Sequence, residues 1–270
     1  MNILYCGDQN IRRGVLLSVL SLLRHTREPL QIYLLTASVS TKDAFYHALP
    51  EDFAKQLDVL VKNEDPDSFV RRFDLTAQFS AAPPTANLNT RFTPCCMLRL
   101  YADLVPELPD LLLYLDYDVL CRRDPTDFYH QSMAGFELAG CRDHYGSRFF
   151  GRDYVNSGVL LLNMELIRRT GLFKRCRELC RDKAMFMPDQ SAIHKQVQRQ
   201  KICPSKFNEQ HKLREDTVFQ HFSTSFRFFP WFHTVSVKPW DIRGMHETLK
   251  LHEYDPLLKQ YLTIKKEFSL

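Results

Sequence analysis

The stretch Leu111-Leu-Leu-Tyr-Leu-Asp-Tyr-Asp-Val-Leu120 decides how this chain is read, because an apolar run closes on two carboxylates one residue apart, Asp116 and Asp118. So continuous an apolar run predicts a strand buried on both faces of a sheet, and ligands of open α/β sheets collect at the carboxyl ends of such strands. Two acids there require a cation. Hard oxygen ligands suit Mg²⁺ or Mn²⁺, which proteins typically hold with one or two carboxylates plus a substrate's phosphates. A phosphate-bearing substrate is therefore the first expectation. The simpler alternative is that one aspartate caps the following turn and the other faces water, since an isolated Asp-x-Asp is short and common.

Working outward, the 270 residues suffice for one large α/β domain or two small ones. With 44% hydrophobic and 25% charged residues the chain is ordinary for a globular protein, which argues against disorder. A net charge of +4, with Lys and Arg scattered among nearly as many acids, neither demands nor excludes an anionic ligand. Nothing points to nucleic acid. The start, Met-Asn-Ile-Leu-Tyr-Cys-Gly-Asp, lacks a basic segment followed by an apolar one, and no run of about 18 apolar residues occurs, so a soluble, cytoplasmic protein is expected. The eight cysteines follow no zinc spacing and several lie in apolar runs, which predicts buried free thiols.

The alternation of elements predicts a parallel sheet with helices on both faces. Ile3–Cys6 reads as a strand, followed by a turn at Gly7–Asn10 and a helix carrying Val15, Leu16, Val19, Leu22 and Leu23. Gln31–Thr36 reads as a second strand and Leu57–Val61 as a third, with a helix at about residues 41–55 between them. From Asn63 to Arg91, Pro, Asp and Asn signal loops around at most a short helix. A helix over Pro94–Asp103, strands at Phe136–Gly140 and Val159–Asn163, and a helix at about Leu172–Lys183 complete the regular part. No repeat or linker divides the chain, so one domain is the economical reading.

Three further signals are weak singly. Asn156-Ser157-Gly158 reads as a polar turn before a buried strand. Asp189 of Pro188-Asp-Gln190 is explained equally well as a helix N-cap. His233 precedes Lys238-Pro-Trp240, and it fits just as simply among the aromatic side chains of Phe228, Phe229, Trp231 and Phe232.

Their order is specific. An Asp-x-Asp after an apolar strand, then Asn-Ser-Gly, then Asp-Gln, then a histidine ahead of Lys-Pro-Trp, resembles glycosyltransferase family 8 from Asp8 to Trp240. The resemblance implies a GT-A fold: a Rossmann-like, mostly parallel α/β sheet flanked by helices. It would form a single domain over residues 1–270, with a nucleotide-binding half (1–120) merged with an acceptor and donor-sugar half (121–248) and ending in a tail (249–270). It implies retaining transfer of glucose or galactose from UDP-glucose or UDP-galactose, dependent on Mn²⁺ (or Mg²⁺), to a glycan, glycolipid or glycoprotein acceptor, with a cell-envelope polysaccharide as one destination. Asp8 and Asn10 match positions on the uridine, and Lys238 the lysine on the diphosphate. Arg99, Asp143, Asn156 and Asp189 match positions around the donor sugar, with Tyr117 and Ser157 completing the donor-binding set, and Gln190 matches the amide near the reacting carbon. Gln190 and Asp189 are thus the expected catalytic pair. Asp116, Asp118 and a histidine would hold the metal. His233 is the expected histidine, although it stands one residue closer to Lys238 than family members place it and lacks their intervening glycine; His221, in Phe219-Gln-His-Phe222, is the rival.

The chemistry agrees with this assignment. Breaking a sugar–phosphate bond develops negative charge on the diphosphate, which a divalent cation and Lys238 stabilise, and positive charge at the anomeric carbon, which needs oxygens such as those of Asp189, Asn156 and Gln190. Two alternatives stand beside it: a haloacid-dehalogenase-type Mg²⁺ phosphatase, which also ends an apolar strand in Asp-x-Asp, and an inactive relative that binds nucleotide or glycan only. In the tail, acids dilute Lys250, Lys259, Lys265 and Lys266, so a packed or solvated helix is expected and membrane contact is the lesser reading.

Overall fold

The computed structural model describes residues 1–90, 92–227 and 233–270, with the side chains of 225–227 and 233 outside the described set. Strand β1 (Asn2–Cys6) leads through a short 3₁₀ turn capped by Asp8 into helix α1 (Arg12–His25). Strand β2 (Gln31–Thr36), helix α2 (Glu51–Glu64) and strand β3 (Phe69–Asp74) follow. A 3₁₀ helix over Pro94–Leu104 precedes β4 (Leu111–Leu115) and β5 (Val119–Cys121). Next come β6 (Leu138–Arg142), β7 (Val155–Asn163), α3 (Leu172–Asp182), α4 (Pro188–Gln196), β8 (Gln200–Cys203), β9 (Phe219–His221) and α5 (Asp255–Glu267).

Seven strands form one sheet in the order β8-β6-β7-β4-β1-β2-β3. All its pairings are parallel except those of β7, which runs antiparallel to both β4 and β6. Alternate side chains feed two apolar layers, as the two-residue period of a strand requires. Ile3, Tyr5, Leu113, Leu115 and Leu161 pack with α1, α2 and α5, whereas Leu4, Cys6, Leu112, Tyr114 and Leu160 pack with the 3₁₀ helix and α3.

Four expectations are not met. Leu57–Val61 belongs to α2 and is not a strand, because Phe53, Ala54, Leu57 and Val61 are the buried residues and recur at helical spacing. The expected helix at 41–55 starts only at Glu51, behind a two-residue ladder of Val39–Ser40 with Phe45–Tyr46. The third strand is instead β3, inside the region read as loop, where Arg71 and Arg72 interrupt the apolar pattern: β3 is the sheet's edge, Arg71 is exposed, and Arg72 donates to the Leu49 carbonyl and to Asp74. Finally, Asn156-Ser157-Gly158 is part of β7 itself and is not a turn ahead of it. The eight cysteines are all free, and all but Cys96 are buried. Leu257, Leu258 and Tyr261 bury one face of α5, so the tail is a packed helix. Among the described residues no helix is long and apolar enough to cross a membrane.

Candidate active site

β7 outruns β4: the pairing ends at Leu115 opposite Val159, and Asp116 then donates its N–H to the Gly158 carbonyl at 2.8 Å. The polar residues Asn156 and Ser157 therefore lie beyond the edge of the apolar layer while still on a rigid strand, facing the Asp-x-Asp turn. Buried polar groups persist only when hydrogen-bonded, and here each is. Ser157 N–H donates to Gln190 Oε1 at 3.0 Å, Gly158 N–H donates to Asn156 Oδ1 at 3.0 Å, and Asn156 Nδ2 donates to Asp143 Oδ2 at 2.9 Å. Gln190 Nε2 donates to the same Asp143 oxygen at 3.2 Å.

Arg99, from the 3₁₀ helix, is 3% exposed and ties three segments together. Its guanidinium reaches Asp116 Oδ1 at 2.8 Å, Asp189 Oδ2 at 3.1 Å and the Ser157 carbonyl, and it lies over the Tyr114 ring at 4.0 Å. Tyr114 also donates its hydroxyl to Asp116 Oδ1 at 2.6 Å. Asp189 is not an N-cap: Met187 holds that position, and Asp189 accepts from Arg99 and from Ser157 Oγ at 3.3 Å.

On the other side of the turn, β5 pairs antiparallel with β9, setting His221 opposite Val119. That register brings His221 Nε2 within 3.3 Å of Asp118 Oδ1 and 3.7 Å of Asp116 Oδ2, while Nδ1 faces Asn156 Oδ1 at 3.1 Å. Ligand atoms of Asp116, Asp118 and His221 all lie within 4.8 Å of one another. Lys238 Nζ bonds Asp118 Oδ2 and the Phe222 carbonyl. Burial works to raise the Asp118 carboxyl, but His221 and Lys238 outweigh it and hold the group far below the usual carboxylate range. Burial likewise works to lower the His221 imidazole, and the two aspartates reverse the sign and raise it.

Of the expected residues, Arg99, Asp116, Asp118, Asp143, Asn156, Ser157, Asp189, Gln190 and Lys238 join one network of hydrogen bonds and ion pairs with His221, whereas the side chain of His233 lies outside the described residues together with the aromatic cluster expected around it. Asp8 is buried at the end of β1, accepting the Asn10 N–H at 2.7 Å, and Tyr117 stacks on Trp240. Sequence reasoning missed Tyr114, Asn208, which donates to Asn156 Oδ1 at 2.9 Å, and two close approaches of glycine. A Cβ on Gly158 would lie 2.2 Å from His221 Cε1, and one on Gly14 only 2.3 Å from the Tyr117 carbonyl oxygen. A glycine facing a motif could be read from sequence only by knowing the packing. Beside His221 opens a cavity of about 330 Å³, lined by Tyr145, Gln210, His211, Phe222, Val237 and others.

The sheet, with its single reversed strand and an acidic turn at the carboxyl end of β4, is a GT-A fold. The chain belongs to glycosyltransferase family 8, whose model it matches over residues 2–242. It is similar to mouse glucoside xylosyltransferase 2, with 29% identity over 61% of this chain and 37% of the relative, and to mouse glucoside xylosyltransferase 1, with 32% identity over 38% and 29%. It thus spans only about a third of the length of these relatives. Among solved structures it resembles the galactosyltransferase LgtC in complex with donor and acceptor sugar analogs (TM-score 0.71, 19% identity, 97% of this chain and 96% of that one). The glycosyltransferase GlyE of Streptococcus pneumoniae is also similar (TM-score 0.66, 18% identity, 98% and 64%). Family membership sets aside the phosphatase alternative.

Proposed function

We propose that this chain transfers a hexose, glucose or galactose, from a UDP-sugar to a glycan or glycolipid acceptor with retention of configuration, and that the transfer depends on Mn²⁺. The observation that carries this reading is the cluster of Asp116, Asp118 and His221 beside Lys238 at the carboxyl end of β4. Two carboxylates and one imidazole make an oxygen-rich set suited to Mn²⁺ or Mg²⁺. The fit is close, since a Cβ on Gly158 would strike both His221 and Asp116. Asp116, Asp118 and His221 would hold the cation, which when bound neutralises charge on the departing diphosphate.

The chain's own groups supply the rest. Lys238, already against Asp118, provides a second positive charge for the diphosphate. Asp8 and Asn10, in the capped 3₁₀ turn that follows β1, take the uridine. Asp143 has Oδ2 shared by Asn156 and Gln190, which fixes its carboxylate for the donor sugar's hydroxyls. Asp189 has its charge balanced by Arg99 at 3.1 Å, and Gln190 has its oxygen occupied by the Ser157 N–H. Neither is poised as a covalent nucleophile, which favours same-face attack: the anomeric C–O bond to phosphate breaks, the acceptor oxygen bonds to that carbon, and its proton passes to a phosphate oxygen. Asp189 and Gln190 then act by stabilising positive charge at the anomeric carbon.

A thermal-stability titration with UDP, with and without Mn²⁺, tests the site on the wild type and Asp118→Asn. At a hundred times the dissociation constant the expected stabilisation is about 2.7 kcal/mol. It should require Mn²⁺ and vanish in the variant, whose transfer should fall by a hundredfold or more, on the order expected for removing a charge-stabilising group. A donor panel of UDP-glucose, UDP-galactose and UDP-xylose then names the sugar, the last included because relatives are xylosyltransferases. UDP binding without turnover on any donor would support the inactive reading, and Mn²⁺-independent or absent UDP binding would overturn the proposal.

A further inference from the structure

A second group of potential metal ligands lies outside the active-site cluster. His246 sits on a single π turn (Gly244–Thr248), and Asp255 is the first residue of α5. Between them the chain reverses at Lys250, whose φ of +57° is left-handed, and that reversal returns His252 over His246 with ring centroids 4.4 Å apart. A left-handed lysine is strained and persists where the surrounding structure demands it. His246 Nε2 lies 2.6 Å from Asp255 Oδ1, and His252 Nδ1 lies 3.5 Å from Asp255 Oδ2. One ligand atom from each of the three falls within 4.8 Å of the others.

We propose that His246, His252 and Asp255 form a second divalent-metal site, for Zn²⁺. The donor set is the inverse of the active-site one, with two imidazoles and a single carboxylate, and imidazole nitrogen favours Zn²⁺ over the Mn²⁺ that carboxylate-rich sites accept. Zn²⁺ takes nitrogen and oxygen ligands at about 2.0–2.2 Å in a tetrahedron, with water as the fourth ligand, so each donor need move by only about an ångström. Side-chain exposures of 32%, 64% and 47% leave room for that movement and for the water. An ion there ties the π turn to the start of α5. That helix is in turn anchored to α1, where Arg24 donates to the Pro256 carbonyl and to Gln260 Oε1, each at 2.9 Å. The site stands independently of the donor-sugar reading.

The test is a titration of the full chain with Zn²⁺, and with Co²⁺ as a spectroscopic probe, on the wild type, His252→Ala and Asp118→Asn. His252 is largely exposed, so its removal should leave the fold and metal-free melting temperature unchanged. The wild type and Asp118→Asn should each show a tetrahedral Co²⁺ spectrum and a Zn²⁺-induced rise in melting temperature. His252→Ala should lose one Zn²⁺ equivalent, or bind it at least about tenfold more weakly. His252→Cys should restore binding and add a thiolate-to-Co²⁺ charge-transfer band. Zn²⁺ binding identical in the wild type and His252→Ala, binding abolished by Asp118→Asn alone, or no binding in any variant would each overturn the proposal.

Discussion

His221 lies in the chain seventeen residues before Lys238, yet its imidazole meets both aspartates across the β5–β9 pair. His221→Ala is expected to remove the Mn²⁺-dependent UDP stabilisation and to lower transfer about a hundredfold, the scale of losing one electrostatic group. His233→Ala should do less, and a Mn²⁺ titration showing the opposite ranking would hand the role to His233. Gly158→Ala tests the same cluster from behind. With His221 Cε1 only 2.2 Å from the new methyl, the imidazole must leave its place, so Mn²⁺ dependence should be lost while urea unfolding shifts far less than for a core cavity. Arg99→Met removes the guanidinium that Asp116 and Asp189 share and leaves Asp189 with only the Ser157 hydroxyl against its charge. Breaking a buried ion pair on one side costs about 3–5 kcal/mol, and urea denaturation should show a loss of that order.

Helix α1 and the Asp-x-Asp turn meet at Gly14, where two effects of Gly14→Ala oppose each other. Alanine in a helix interior gains roughly 1 kcal/mol over glycine. Against that, the new methyl would stand 2.3 Å from a backbone oxygen of Tyr117 and 2.8 Å from Trp240. A carbonyl cannot swing aside as a side-chain tip does, so overpacking, typically about 1–3 kcal/mol, should win. A lowered melting temperature together with weakened UDP affinity is the expected outcome, because the displaced turn carries Asp116 and Asp118. An unchanged UDP dissociation constant would show that α1 does not set the turn. The same scale explains why the second half of α2 reads as a strand: Leu57–Val61 is a short apolar run, which periodicity over a few residues does not assign, whereas the buried set from Phe53 onward spans two helical turns.

At the scale of the whole molecule, α5 and the residue after it close one face of the core layer shared with α1 and α2, through Leu257, Leu258, Tyr261 and Phe268, the last edge-on to Phe53. Leu258→Ala should therefore cost about 2–5 kcal/mol by leaving a cavity, read as a lower urea midpoint with an unchanged slope. A change below about 0.5 kcal/mol, the range of surface substitutions, would mean that the tail is solvated and not packed. The buried strands β1, β2 and β4 and the acids following β4 were legible in the sequence because an apolar run bounded by polar residues is a local signal. The antiparallel course of β7, the edge strand β3 and the approach of β9 to the Asp-x-Asp turn were not, since strand direction and pairing arise between segments far apart in the chain. The amino-acid order by itself determined the family and the sheet class, and it singled out most of the residues proposed above to meet a diphosphate and a cation. Only the tertiary structure decided that His221 meets Asp116 and Asp118, that Arg99 balances Asp189, and that Gly14 and Gly158 leave the space for both, because each of these depends on register and close approach, which no spacing along one chain encodes.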